Sequence, residues 1–498
     1  MGALRTPAAA ADWLRQRGAG TLCVDSRAVH PGDAFFAWPG AVTDGRRFVG
    51  GALQRGAAAC LVDDDGAAAF NFNTEARVIR YAGLKAAAGP IADLHYGSPS
   101  KALKVLAVTG TNGKTSTAWW LAAALSRLPA PAFGSCGVVG TLGAGVFPNV
   151  GEHGLTTPDA LALQHQLRAF VDAGATCCAM EASSVGLVEH RLDGTAIDVA
   201  LFTNLTQDHL DYHGTMEAYW RAKALLFDWP TLSAAVVNLD DPRGPELAQH
   251  VRERGLDVWT VALGHAARLV AKDLHHGARG LDFTVAEEDR EVTLNTALVG
   301  RYNVSNVLGV IGALRALGVS LEQAVGACAA LPPVPGRMER IEAEATGPMA
   351  IVDFAHTPDA LEKALTALRP LAAHRGGQLW CVFGCGGHRD RAKRPLMAAV
   401  VERLADRPVL TSDNPRDEEP EAIIRDMTAG LRHAAVVMIE PDRARAIALA
   451  LRQAAAGDVV LIAGKGHETE QEINGVRHHF SDQEQARAAL RARAGGVQ

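Results

Sequence analysis

Residues 105–125 read VLAVTGTNGKTSTAWWLAAAL: an apolar strand, a glycine loop and a helix in unbroken order. Gly110 and Gly113 let the backbone approach a ligand closely. Amides of the loop and of the helix start can cradle phosphate oxygens, with the helix dipole behind them. Lys114 adds a mobile positive charge, and the Thr115 hydroxyl can ligate magnesium. The spacing departs from G-x-x-x-x-G-K-[ST], because Gly110 stands only three residues before Gly113. A plain strand-to-helix turn could use some of these residues. The combination of strand, glycines, Gly-Lys-Thr and helix favours a bound nucleoside triphosphate, and it predicts a parallel α/β sheet around the loop.

Working outward, the same alternation continues. ATCCAME, IDVALFTNL and AAVVNLD are apolar strand candidates with helical patterns between several of them. Such strands argue for a sheet covered on both faces. GSPSKAL at 97–103 and LPPVPG at 331–336 have linker chemistry. They divide the chain into blocks 1–98, 99–333 and 334–498, in keeping with roughly 100–200 residues per domain for 498 residues. In the first block, strand-like TLCVDSR and ACLVDDD alternate with turns. In the third, MAIVDFAH, QLWCVFG, RPVLTSD, AVVMIE and DVVLIAGKG repeat the pattern as a doubly wound, Rossmann-like fold. Its ligand positions are expected at strand carboxyl ends. DFAH, FGCGG, TSDNPR and AGKGHE all fall there.

Bulk properties exclude several classes. A net charge of −6 and a pI near 6.3 leave no basic footprint for nucleic acid. The N-terminus lacks a signal-peptide pattern, and no run of apolar residues is long enough to span a bilayer. The eight cysteines are scattered through apolar runs. They are expected to be reduced and buried, in a cytoplasmic protein, rather than paired or zinc-bound.

Carboxylates and histidines cluster at strand ends beside the phosphate loop: Glu181 with Ser183 and Ser184, then Asp208, His209, Asp211 and His213. Oxygen-rich groups there suit magnesium. Lys223 follows on an amphipathic helix, where composition alone reads as a snorkelling surface lysine. Asn303 and Asn306 stand near a helix start, where simple N-terminal capping is the plain reading. GCGG at 384–387 does not complete G-x-G-x-x-G, which argues against a nicotinamide cofactor. In TSDNPRDEEP, Arg416 sits among four acids behind an Asn-Pro turn. The stretch is either a solvated loop or a clamp for a molecule with both a carboxylate and an ammonium group. Asp417 to Glu419 read as charge favourable to a helix N-terminus.

TGTNGKTST resembles the ATP loop of the Mur ligases and of their relatives, the folylpolyglutamate synthetases. NLTQDHLDYHGTMEAYWRAKALLF, PPVPGRMERI and GKGHE extend the resemblance over nearly the whole chain. It implies an ATP-dependent amide-forming enzyme of three α/β domains. The first binds a uridine nucleotide, the central one ATP, and the Rossmann-like C-terminal one an amino acid. It implies ATP contacts at Gly110, Thr111, Asn112, Gly113, Lys114, Thr115, Ser116, Asn303, Arg337, Asp353 and His356. It also implies carbamylation of Lys223 by carbon dioxide, with magnesium held by Thr115, Glu181, His209 and the carbamate. Lys114, Lys223, His209 and Glu181 are the expected catalytic set.

Within the family, DSR…PGD…DGRRF resembles the uridine-nucleotide domain of the branch that adds the third residue of the peptidoglycan stem. Expected contacts with the UDP-MurNAc-dipeptide are Ser26, Thr156, Thr157, Ser183, Glu189 and Arg191. DNPR marks members that add meso-2,6-diaminopimelate. The residues implied are Arg389, Asp413, Asn414, Pro415, Arg416, Gly464 and Glu468, with Arg416 and Arg389 on the far carboxylate and Glu468 on the ammonium. Asp413 and Asn414 would accept from the ammonium or order the loop. Two departures stand out: Val185 replaces a histidine of the common pattern, and Glu189 replaces a glutamine.

Overall fold

The computed structural model describes residues 3–40, 43–72, 75–151, 154–276, 280–341, 347–388 and 390–495. Two compact units emerge from its contacts. One comprises Met1–Asp273, Thr284–Leu294 and Ser305–Leu331; the other comprises Leu274–Phe283, Asn295–Val304 and Pro332–Gln498.

The first unit opens with a parallel five-stranded sheet. Its spatial order is Ala3–Leu4, Val78–Tyr81, Ala59–Asp63, Ala34–Ala37 and Leu22–Cys23. Side chains alternate across it as the strand period requires. Phe36 and Leu61 meet Leu14 and Ile91 of the helices Pro7–Gln16 and Leu84–His95 on one face. Phe35, Cys60 and Val62 meet Val49 and Ala52 of the helix Val49–Gln54 on the other. Arg46 of the DGRR turn serves this domain internally. It is 6% exposed, pairs with Asp44 at 2.7 Å and donates to the carbonyls of Asp63 and Asp65.

The phosphate-loop strand Lys104–Thr109 lies in the middle of an eleven-stranded sheet among the described residues. It is flanked in parallel by Val199–Phe202 on one side and Cys177–Glu181 on the other. Both neighbours follow the loop strand in the chain but pair on its opposite sides, so the loop sits where the connections diverge. Register places Glu181 opposite Val108, and Phe202 opposite Thr109. Both neighbouring strand ends therefore finish beside Gly110. The expected parallel sheet becomes mixed beyond Cys136–Gly140, where Gly143–Val146 and Asn149–Gly151 add antiparallel strands. Their short glycine-rich sequences carry no strand signal. The sequence reading also passed over the strands Asp257–Leu263, Leu269–His276, Leu281–Glu287 and Arg290–Asn295.

The second unit is built on a six-stranded sheet. Met349–Asp353, Val459–Ala463, Leu379–Phe383, Arg407–Leu410 and Met438–Ile439 run parallel, with Glu339–Ile341 antiparallel at one edge. Ile351, Cys381, Phe383 and Leu461 face one apolar layer; Val352, Trp380, Val382 and Ile462 face the other. The strand expected in AVVMIE shrinks to Met438–Ile439, because Ala434–Val436 winds into a 3-10 turn. A hairpin, Glu470–Ile473 with Val476–His479, follows the last strand of the sheet.

Candidate active site

The phosphate loop is fixed by its neighbours before any ligand enters. Gly110 has φ +147°, and a Cβ there would lie 1.9 Å from Thr203 Oγ1. Gly113 has φ +84°, and its Cβ would meet Asn306 Oδ1 at 2.5 Å. Only glycine fits either place. Thr203 Oγ1 donates to Asn112 O at 2.6 Å, Asn112 N donates to Asn204 Oδ1 at 2.9 Å, and Thr111 Oγ1 donates to Thr206 O at 3.0 Å. Lys114 and the nine-tenths-buried Ser116 open the helix Lys114–Leu125.

Two lysines converge on one carbonyl. Lys114 Nζ donates to Gly110 O at 2.8 Å and to Thr111 O at 2.9 Å. Lys223 Nζ also donates to Gly110 O at 2.8 Å. Lys223 is 1% exposed, so it does not snorkel. Its ammonium lies 4.3 Å from the centre of the Tyr219 ring, and the Tyr219 hydroxyl donates to Thr111 Oγ1 at 3.2 Å. Burial, then repulsion from Lys114, holds the Lys223 pKa well below the ordinary lysine value.

Glu181 is 2% exposed at the end of its strand. Its Oε2 accepts from Thr115 Oγ1 at 3.1 Å, and its Oε1 accepts from Thr141 N at 2.7 Å. A Cβ on Gly140 would lie 2.4 Å from Glu181 Oε1, so glycine at 140 leaves the carboxylate its place. The hydroxyl of Thr141 links Thr115 and Thr156, at 3.3 and 3.1 Å. Thr157 Oγ1 donates to Glu181 O at 2.9 Å and accepts from Ser183 N at 3.1 Å, while Arg191 donates to Thr157 O at 3.0 Å. Thr156, Thr157, Ser183 and Arg191 thus form one network with Glu181 and Thr115. Ser183 Oγ also caps the short helix Ser184–Val188. The pair Thr115 and Glu181 suits a hard cation that prefers oxygen ligands. No group of three or more His, Cys, Asp or Glu side chains among the described residues is placed to hold a metal alone.

His209 is half exposed with φ +51°, 6.1 Å from the Tyr219 ring centre to centre. His213 is 3.0 Å from Ser184 Oγ, and burial, then the charges of His209 and Lys223, lowers its pKa. Glu189 turns to Lys85 Nζ at 2.5 Å and to the Tyr212 hydroxyl at 2.6 Å. Burial raises its pKa, but those two hydrogen bonds and the Lys85 charge outweigh it, and the net shift is downward. Ser26 is half-buried in a turn closed by Ala28 N to Asp25 O, where Arg27 is spent on Asp25.

Asn303, of the second unit, and Asn306 lie inside the helix Arg301–Ala316 and neither caps it. Asn303 Nδ2 donates back to Val299 O at 2.8 Å. Asn306 belongs to the first unit and is the residue packed on Gly113. The Arg337 guanidinium stacks 4.4 Å from the Phe354 ring. Asp353 accepts from Met338 N at 2.7 Å and Ala355 N at 2.9 Å, and burial, opposed by Arg337, raises its pKa. The Nδ1 of His356 is 2.6 Å from Phe354 O, and Lys393 Nζ donates to the His356 carbonyl at 2.9 Å.

The DNPR segment lies against two neighbours. Gly387 N donates to Asn414 O at 2.9 Å, and a Cβ on Gly387 would lie 1.9 Å from Pro415 O. Arg416, with φ +53°, donates to Gly387 O at 2.7 Å and pairs with Glu472 at 3.4 Å. Its amide donates to Glu472 O at 3.0 Å, which docks the segment on the hairpin. Asn414 Nδ2 donates to Glu468 Oε2 at 2.8 Å. Asp413 Oδ1 accepts from Asn414 N at 2.7 Å. Gly464, at φ +122°, leaves room for Asp413 Oδ2, which its Cβ would meet at 2.5 Å. Arg389 lies outside the described residues.

Three features were missed from sequence. Thr141 stands at a strand end, which was a usable signal. Lys465 is fully buried beside Glu468. Glu418, next to Glu419 at the N-cap of the helix Pro420–Thr428, is also a counter-ion. It holds the buried Arg394 through both oxygens at 3.0 Å and also accepts from Arg391 and from His388 N. Those bonds, Arg394 first, pull its carboxyl down to about 2.

Comparison with known proteins agrees with this layout. Residues 21–94 match the Mur ligase family catalytic domain, 108–314 the Mur ligase middle domain, and 336–466 the Mur ligase glutamate ligase domain. The chain is 58% identical over 497 residues to the UDP-N-acetylmuramoyl-L-alanyl-D-glutamate–2,6-diaminopimelate ligase of Acidovorax sp. (strain JS42), covering 99% of each. It is 47% identical to the ligase of the same name from Janthinobacterium sp. (strain Marseille), covering 97% of this chain and 96% of that one. A solved structure bearing that ligase name matches with a TM-score of 0.68 at 37% identity, over 96% of this chain and 95% of the other.

Proposed function

The chain belongs to the Mur ligase family, and from that premise we propose that it adds meso-2,6-diaminopimelate to UDP-N-acetylmuramoyl-L-alanyl-D-glutamate, with ATP as co-substrate, in peptidoglycan precursor synthesis. The observation that carries the choice of reaction is the near full-length identity to ligases of that name. The choice of amino acid is supported by the ordered set Asp413, Asn414, Arg416 and Glu468 at adjoining strand ends.

The side-chain carboxylate of the D-glutamate attacks the γ-phosphate of ATP. An O–P bond forms, the bond to ADP breaks, and an acyl phosphate results. Gly110 to Ser116 hold the phosphates, and Lys114 leaves the Gly110 and Thr111 carbonyls to meet the developing charge. The uncharged amine of diaminopimelate then attacks the acyl carbon, forming the amide and releasing phosphate. Thr156, Thr157, Ser183 and Arg191 orient the uridine-nucleotide peptide, with Ser26 in the first domain and Glu189 as a further contact. Asn303, Arg337, Asp353 and His356 are the further residues assigned to ATP. Magnesium, when bound, neutralises phosphate charge; Thr115, Glu181, His209 and a carbamate on Lys223 are the residues that would hold it. The depressed basicity of Lys223 suits reaction with carbon dioxide, since only a neutral amine adds it. Domains are assigned as 1–98, 99–333 and 334–498. The enzyme is read as a cytoplasmic monomer; among the described residues no helix is long and apolar enough to cross a membrane.

The test is ADP release with ATP, magnesium, bicarbonate and the uridine-nucleotide dipeptide, comparing no amino acid, L-lysine and meso-diaminopimelate. Release with meso-diaminopimelate alone is expected. Release with L-lysine alone would keep the ligase and reject the role given to Arg416. Release with a folate in place of the nucleotide peptide would reject the whole reading.

A further inference from the structure

Lys465 is a lysine with no exposed surface. Burying an ammonium is costly unless acceptors surround it. Its Nζ donates to Asn414 Oδ1 at 3.1 Å and to Glu468 Oε2 at 3.0 Å. Both acceptors belong to the proposed amino-acid site, so this inference rests on that reading of the site.

The contacts fix which way Asn414 points. An ammonium only donates and a carboxylate only accepts. Asn414 therefore turns its carbonyl to Lys465 and its amide nitrogen to Glu468 Oε2. Oδ1 also accepts from Glu472 N at 3.1 Å. Two donors saturate the two lone pairs of that oxygen. What Asn414 has left to offer a ligand is the second hydrogen of Nδ2. It is a donor towards the substrate and cannot accept from the substrate ammonium.

We infer that Lys465 is a positioning and specificity-determining residue, which polarises Asn414 into a donor for the far carboxylate of diaminopimelate. Asn414 then works with Arg416 on the carboxylate. The ammonium is left to acceptors that Lys465 does not saturate: Glu468 Oε1 and Asp413. Lys465 also offsets the charge of Glu468, which makes the site a poor trap for a bare ammonium such as the end of L-lysine. A zwitterionic end is favoured over a purely cationic one.

The experiment is steady-state kinetics of the full-length enzyme with meso-diaminopimelate and L-lysine varied separately, and with ATP varied as an internal control. Lys465→Met is expected to raise KM for meso-diaminopimelate about tenfold, the scale of one lost charged hydrogen bond. KM for ATP stays unchanged, and the preference over L-lysine narrows. Because Lys465 acts through Asn414, Lys465→Met with Asn414→Ala together should be no worse than Asn414→Ala alone. Should Lys465→Met fail to fold, Asn414→Asp tests the same polarity. It keeps an acceptor but loses the donor, so KM for meso-diaminopimelate rises; an unchanged or lower KM means Asn414 accepts from the ammonium and overturns the inference. Additive effects in the double variant, or equal changes in the ATP and amino-acid constants, also overturn it. If Arg416→Lys and Asn414→Ala both leave the meso-diaminopimelate KM untouched, the proposed site itself is wrong.

Discussion

Lys223 and Glu418 show how single residues acquire a role from what surrounds them. Lys223 looks like a surface lysine in sequence, yet it is buried against Gly110 O and the Tyr219 ring. With 13C-bicarbonate, a carbamate carbon signal is expected in the protein spectrum and should vanish in Lys223→Ala. Its presence in that variant would place the carbamate elsewhere. Glu418 has the opposite character, an acid kept ionised by Arg394. A folded pKa of about 2 against an ordinary 4.5 means its stabilising contribution is full above about 4.5. It is lost as pH falls from 4.5 to 2. Glu418→Gln should therefore lower the melting temperature at pH 7 and lessen its dependence on acid. Melting curves between pH 7 and pH 3 read both effects.

At the scale of elements, the strand–loop–helix at 104–125 was legible because glycine spacing, Gly-Lys-Thr and apolar runs all agree. The loop's demand for Gly110 is now physical: φ +147° and a Cβ 1.9 Å from Thr203 Oγ1. Gly110→Ala should weaken ADP binding more than tenfold, the order expected for displaced backbone in a phosphate cradle; calorimetric titration measures it, and unaltered affinity would mean that the loop yields. The apolar strands of the third block were equally legible, since Ile351, Val382 and Leu461 are fully buried. Elements without such a signature were not. Gly143–Val146 has only small residues, and Met438–Ile439 is too short for a period. Charge partners were the least legible. Nothing local joins Arg394 to Glu418, or Lys85 to Glu189, because pairs so distant in sequence meet only in the fold.

For the whole molecule, ligand binding should register as stability. A ligand held at about a hundred times its dissociation constant adds about 2.7 kcal/mol to the state that binds it. ADP with magnesium should raise the melting temperature of the wild type in scanning calorimetry, and Lys114→Ala should abolish most of that rise. Meso-diaminopimelate should stabilise the wild type and not Arg416→Lys. A rise with ADP that survives Lys114→Ala would move the nucleotide away from the loop. The two compact units each bury their own apolar layers, so the transition is not expected to be all-or-none.

The bond between Glu189 and Lys85 bears on inheritance. Where the common family pattern has a neutral glutamine, this chain carries a charge and keeps it company with a lysine more than a hundred positions earlier. Tyr212 completes the trio at 2.6 Å. Grafting Glu189 alone into a glutamine-bearing cousin would strand an anion, and restoring glutamine here would strand Lys85. Lineages that changed one of the two sites should therefore be found to have changed the other.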